Sequence, residues 1–190
     1  LSEGLPCKLT QDGVTAQRGD PHRVRDFLSA EFPSLTEEAY SPLGNGHTPH
    51  AKRAYIETAC DVIELRHVDR TVGVFIGAPD DWSSYYIRVF AMAQAYQRPT
   101  LIRRFGHECV FTRLSAHGVQ RVIAETSPAN LAMSRTLSEL QFYATGHQLS
   151  DRWGPLVRYT KFLDQACEES FLERFTGTAP PGSQGRRQRR

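Results

Sequence analysis

The residues whose types and spacing could do chemistry gather between Ser84 and Phe142. Arg98, Arg103 and Arg104 stand where the β-branched and aromatic run SSYYIRVFAMAQ gives way to a helical pattern. A loop at that point leads into a helix N-terminus, where unsatisfied N–H groups and the helix dipole favour an anion, and three arginines there suit a polyanion. On strict alternation Tyr86, Arg88, Phe90 and Met92 share one face of the preceding strand. Arg88 is an odd residue for a central strand; it either binds a substrate carboxylate or pairs with an internal acid. Glu125 is the nearest carboxylate, close to the end of the following strand.

Other constellations do not close. His47-x-x-His50 lies in a Gly- and Pro-containing loop with no third ligand at metal spacing, so no metal is expected. His107-Glu108 lacks the second histidine of HExxH, and the chain has neither a GxSxG elbow nor a Walker loop. Cys7, Cys60, Cys109 and Cys167 are far apart and form no CxxC pair. Cys60 and Cys109 read as small core residues, not as a zinc site or a disulfide framework.

The elements that must position these residues follow from local pattern. GVTAQRG, over 13–19, alternates as a short edge strand, and Asp20-Pro21 starts an amphipathic helix with Val24, Phe27 and Leu28 on one face. Pro33 to Pro49 is a long connection and a candidate substrate lid, followed by a second helix over 50–60. DVIELRHVDR and TVGVFIGAP form a hairpin turning at Asp69-Arg70, and SSYYIRVFAMAQ is the next strand. From Pro99 to His117 a helix buries Leu101, Ile102, Phe105, Cys109, Thr112 and Ala116 in one arc, with Val110, Phe111 and Leu114 on a second covered surface. VQRVIAET is a strand parallel to SSYYIRVFAMAQ, Ser127-Pro128 caps a helix with Met133, Leu137 and Leu140 inward, and two strands close the order around 144–147 and 156–162.

The totals fit one domain with tails. The 190 residues carry a formal charge of +2, but Arg186, Arg187, Arg189 and Arg190 supply more than all of it, leaving a slightly acidic body. No basic face is interleaved with aromatics, which argues against a nucleic-acid partner. No apolar run reaches the length of a membrane span and the first residues lack the pattern of a signal peptide, pointing to a soluble cytoplasmic protein with no membrane partner.

From Val14 to Phe162 this order resembles the GNAT superfamily, acyltransferases that move an acyl group from coenzyme A to an amine. The most specific segment is VQRVIAETSPANLAMSRTLSELQF, in which Asn130 and Phe142 match the family's Asn and Phe after its fifth strand, and Val72-Gly73 resembles the Val-Gly of its third. The resemblance implies an α/β fold whose mixed sheet has about seven strands flanked by about four helices. It divides the chain into an N-terminal extension (1–12), an acyltransferase domain (13–165), and a helix end with a disordered basic tail (166–190).

It also implies acetyl-coenzyme A as co-substrate. The pyrophosphate loop of the family falls on Gln97, Arg98, Pro99, Thr100, Leu101 and Ile102, with Arg103 following. Its two small positions hold Thr100 and Ile102, and Pro99 removes one amide donor. Asn130 joins the cofactor set, and Phe90, Ala91 and Met92 lie beside the pantetheine and the thioester carbonyl. Leu137 occupies the place of the tyrosine that protonates the leaving thiolate in many members, leaving water, Tyr143 or Tyr159 for that proton. Glu125 and Tyr86 are the catalytic candidates, with Glu57 and Glu64 as fallback bases. Arg88, Tyr55 and Trp153 are candidate acceptor contacts, beside the possible wall residues Tyr40, His147 and Asp151. The first reading is an N-acetyltransferase for a small-molecule amine. The alternatives are an N-acyltransferase whose longer acyl donor rides on coenzyme A or acyl carrier protein, and a non-catalytic binding domain of the same fold.

Overall fold

The computed structural model of the chain describes residues 5–9, 13–35, 54 and 58–177. Five strands, β1 (Cys7–Leu9), β2 (Val14–Arg18), β3 (Asp61–His67), β4 (Arg70–Pro79) and β5 (Ser84–Met92), lie antiparallel in chain order. Next comes β6 (Arg121–Thr126), parallel to β5; β8 (Gly154–Phe162) then separates it from the edge strand β7 (Tyr143–Ser150). The result is one mixed sheet of eight strands. The segment 13–19 is therefore not an edge, because β1 pairs outside it.

One face of the sheet carries helix α1 (Pro21–Glu31). Asp20 caps it by accepting from the His22 and Arg23 amides, and Val24, Phe27 and Leu28 pack on Val62, Val74 and Ile76. The other face carries α2, which runs from Pro99 to Ala116 in three continuous segments, Pro99–Arg104, Phe105–Phe111 and Thr112–Ala116. The middle segment is π-helical, so the chain gains residues per turn and the buried stripe changes phase. Val110, Phe111 and Leu114 are buried, whereas Thr112 and Ala116, expected inward on a regular helix, are exposed. Helix α3 (Leu131–Glu139) follows β6 and α4 (Gln165–Thr176) follows β8.

Four further details differ from the local reading. The cap of α3 is Asn130, whose Oδ1 accepts from the Met133 amide, because Ser127 to Asn130 forms a turn first. The β3–β4 turn is Val68-Asp69, one residue earlier than expected, with Val68 at φ 55°. Cys109 is in the core as expected, but it is joined by a disulfide to Cys7 across 102 residues. Spacing within one element could not reveal that pair, because β1 meets α2 only in the folded chain. The connection over 36–53, most of the helix expected over 50–60, His47, His50 and the arginine tail lie outside the described residues. No helix among the described residues is long and apolar enough to cross a membrane.

Candidate active site at the fork between β5 and β6

Two breaks in regular pairing make the site. Strand β5 pairs with β6 only from Ser84 to Ile87, against Arg121 to Ala124, although both strands continue further. On its other side, β5 pairs Ile87 with Gly77 and Val89 with Ile76, so Arg88 is the extra residue of a β-bulge. Beyond the bulge, the edge of β5 that faces β6 has no strand partner among the described residues, and its backbone groups are open to a ligand. A cavity of about 590 Å³ fills this fork and reaches both faces of the sheet.

The bulge also corrects the expected alternation. Tyr86 and Arg88 lie on the α1 face, where Arg88 approaches the Cys60 thiol; Phe90 stacks on Phe105 of α2 at 5.5 Å and Met92 joins the core beneath that helix. An extra residue shifts the period-2 pattern by one, so Tyr86 and Arg88 cannot share a face with Phe90 and Met92.

On the α1 face the cavity wall holds Tyr86, Arg88, Glu125, Arg152 and Trp153, with Phe32 and Leu35 from the end of α1. Glu125 is the best-connected group. Tyr86 donates to its Oε2 at 2.9 Å, Gln148 donates to the same oxygen, and Arg158 donates to Oε1 at 2.8 Å. Its side chain is 4% exposed, against 45% for Arg158. Burial, then the bond to Glu125, pushes the Tyr86 hydroxyl up to about 12, so it stays protonated at neutral pH. Burial likewise pushes the Cys60 thiol up, against the opposing effect of Arg88. Trp153 is 43% exposed and stacks under the Arg152 guanidinium at 4.0 Å.

On the α2 face the wall is apolar, built from Phe75, Phe90, Phe105, Val110, Phe111 and Phe142, with Leu137 and Leu140 from α3 and its end. Gly106 lies in this wall within the π-helical segment, where a Cβ would come 3.0 Å from Phe111.

The expected cofactor residues divide. Phe90, Ala91, Ile102 and Asn130 line the cavity. Met92 does not; its side chain is core and its carbonyl accepts from Gln97 Nε2 at 2.8 Å. Gln97, Arg98 and Thr100 are exposed at the start of α2, and Arg98 lies 5.7 Å from the Tyr96 ring centre. Leu101 is fully buried, so its side chain serves the core and only its backbone could meet a ligand. The Thr100 and Leu101 amides are first-turn donors with no intrahelical acceptor, whereas the Ile102 amide bonds the Arg98 carbonyl. Arg103 reaches Glu139 at 3.9 Å and Arg104 reaches Glu108 at 3.0 Å.

Among the catalytic candidates, Tyr86 and Glu125 are brought into contact. Glu64 is not available, being buried and held by Arg23, Thr71 and Gln17 away from the cavity. Tyr143 donates to Glu168, and neither it nor Tyr159 lines the cavity. His147 and Asp151 do not line it either, while Tyr55, Tyr40 and Glu57 lie outside the described residues. Arg158 and Gln148 escaped the sequence reading. The available signal was charge complementarity, since Arg158 sits directly opposite Glu125 in the β6–β8 register, but it is visible only once those strands are known neighbours.

Neither a protein family nor a curated protein matches this chain in sequence. Solved structures do match in shape. A ribosomal-protein-S5-alanine acetyltransferase from Vibrio fischeri superposes with TM-score 0.61 at 12% identity, covering 85% of this chain and 98% of that one. A spermidine N-acetyltransferase from Vibrio cholerae gives 0.59 at 11% identity, covering 80% and 95%. A protein assigned to the GNAT family of acetyltransferases, from Desulfovibrio desulfuricans, gives 0.56 at 16% identity, covering 79% and 99%.

Proposed function

We propose, on the premise that this chain has the fold of the GNAT acetyltransferases, that it transfers an acetyl group from acetyl-coenzyme A to the amine of a small molecule. The observation that carries the reading is the fork: β5 bulges at Arg88, leaves β6, and opens a cavity to both faces of the sheet. Donor and acceptor can then approach one another from opposite sides. The residues present fit a thioester donor on the α2 face, where the open β5 edge, the apolar wall, Asn130 and Ile102, which follows the first amides of α2, line the cavity. Acetyl-coenzyme A, when bound, supplies an activated acyl thioester.

The chain's own groups supply the rest. Tyr86 and Glu125 receive the acceptor, the hydroxyl passing the amine's proton to the carboxylate. Arg158 and Gln148 orient Glu125 and hold its charge in a buried place. The open amides of β5 beyond Arg88 polarise the acyl carbonyl. An N–C bond forms and the C–S bond breaks; the amine's proton goes to Glu125 and the departing thiolate takes one from water. Water is the remaining source because Leu137 stands in the apolar wall, with Tyr143 and Tyr159 outside it.

A longer acyl group, carried by coenzyme A or acyl carrier protein, is the second reading, favoured by the phenylalanine-rich wall on the α2 face. Isothermal titration with acetyl-coenzyme A beside a long-chain acyl-coenzyme A separates the two. Micromolar binding of the acetyl donor supports the first, binding of the long-chain donor alone supports the second, and binding of neither removes the coenzyme A assignment.

A further inference from the structure

The acceptor half of the cavity is richer in positive than in negative charge. Arg88 lines it, whereas Glu125, the acid among its described lining residues, is already matched by Arg158. Arg88 is the bulge residue itself, exposed, and meets no carboxylate among the described residues; the side chain it approaches is the Cys60 thiol. A thiol is a weak acceptor, so most of the five guanidinium N–H groups are left for a ligand in the cavity. Arg88 and Tyr86 also stand on the same face of β5, two positions and about 7 Å apart along the strand. One small molecule can therefore reach both.

We infer that the acceptor is an amine bearing a carboxylate, an amino-acid-like zwitterion whose carboxylate pairs with Arg88 while its amine faces Tyr86 and Glu125. This rests on the acetyl-transfer reading and adds the acceptor's class. The planar fork of arginine matches a carboxylate through two parallel hydrogen bonds. A polyamine would bring a further cation against Arg88 and is disfavoured by that charge.

Calorimetry of the full chain with acetyl-coenzyme A alone tests the donor site first. No binding there overturns the acetyl-transfer reading and this inference with it. Acetyl transfer is then followed as free thiol release with the standard amino acids, with their carboxamides, and with spermidine. The expected result is a preference of about tenfold or more in kcat/KM for an amino acid over its carboxamide. Arg88→Gln raises KM for that amino acid by a similar factor, more than it lowers kcat, and Arg88→Lys recovers part of the loss. Preference for the carboxamides or spermidine, an unchanged KM in Arg88→Gln, or donor binding with no amino acid acetylated overturns the inference while leaving the donor site standing.

Discussion

Tyr86 donates its hydroxyl to Glu125 Oε2 at 2.9 Å across the opening of the fork. Tyr86 itself pairs with Ile123, and Glu125 is the first residue of β6 beyond the last pair, Ile87 with Ala124. The bond thus ties the two strands together where their backbone pairing ends, and it places a protonated phenol and a carboxylate in the wall of the cavity.

Glu125→Gln removes the charge but keeps the shape. It is expected to lower kcat by about a hundredfold to ten-thousandfold, the range for loss of a general base, while circular dichroism stays unchanged. Tyr86→Phe should cost less, since water can bridge the amine to Glu125. Equal activity of Glu125→Gln and the parent chain in a thiol-release assay would remove Glu125 from the mechanism.

Raising pH tests the environment of Tyr86. A free tyrosine loses its proton near pH 10, whereas Tyr86 keeps it until about 12, so between those values the unfolded chain binds fewer protons than the folded one. The contribution to stability is present below pH 10 and is lost as pH rises through about 12. Phenolate absorbance, compared between the parent chain and Tyr86→Phe, should place the difference at the top of that window.

Gly77 has no space for a side chain. A Cβ built there overlaps the Tyr85 ring, lying 2.6 Å from its hydroxyl oxygen and 2.8 Å from Cζ. Tyr85 is buried, stacked on Phe75, and donates to Asp61 Oδ2 at 2.9 Å. Gly77→Ala should destabilise the fold by about 1–3 kcal/mol, read as a lower midpoint of denaturant unfolding, and a neutral result would contradict this packing.

Glu64 is buried with no exposed side-chain surface, and Arg23 holds it through Nε and Nη2 at 3.0 to 3.3 Å. Burial alone would raise its carboxyl, but the bonds from Arg23 and Thr71 outweigh that and keep it below the usual carboxylate value. Its contribution is therefore present above the unfolded glutamate's range and is lost as pH falls through the lower folded value. Arg23→Ala leaves the buried Glu64 charge with less compensation and should lower the denaturation midpoint near neutral pH, with a smaller difference from the parent chain in acid.

The Cys7–Cys109 bridge closes a loop of 102 residues and pins β1 to the segment of α2 that walls the cavity. Alkylation without reductant should label Cys167 readily and the buried Cys60 slowly, leaving Cys7 and Cys109 in one disulfide-linked peptide. Reduction should lower stability by up to about 4–5 kcal/mol, the loop-closure value for this length. Four alkylated cysteines in the folded, unreduced chain would show the bridge absent.

The amphipathic stripe of α1, with its Asp20 cap, and the parallel strands flanking α2 were legible because each is written in spacings within one element. The same kind of reading failed wherever one added residue altered the period. The bulge at Arg88 separated Tyr86 and Arg88 from Phe90 and Met92, and the π-helical segment turned Thr112 and Ala116 outward. Both departures lie in the wall of the cavity, where irregular backbone leaves room for a ligand.

By itself the sequence determined the order of the strands from β2 to β8, the family resemblance, and the stretch from Ser84 to Phe142 as the place for chemistry, since hydrophobic period, caps and turn residues act between near neighbours in the chain. Only the tertiary structure decided which side chains meet. Tyr86 with Glu125, Glu125 with Arg158, and Cys7 with Cys109 are pairs separated by 39, 33 and 102 residues. Their partners are selected by strand register and by the phase of bulges and helical turns, which depend on how whole elements pack.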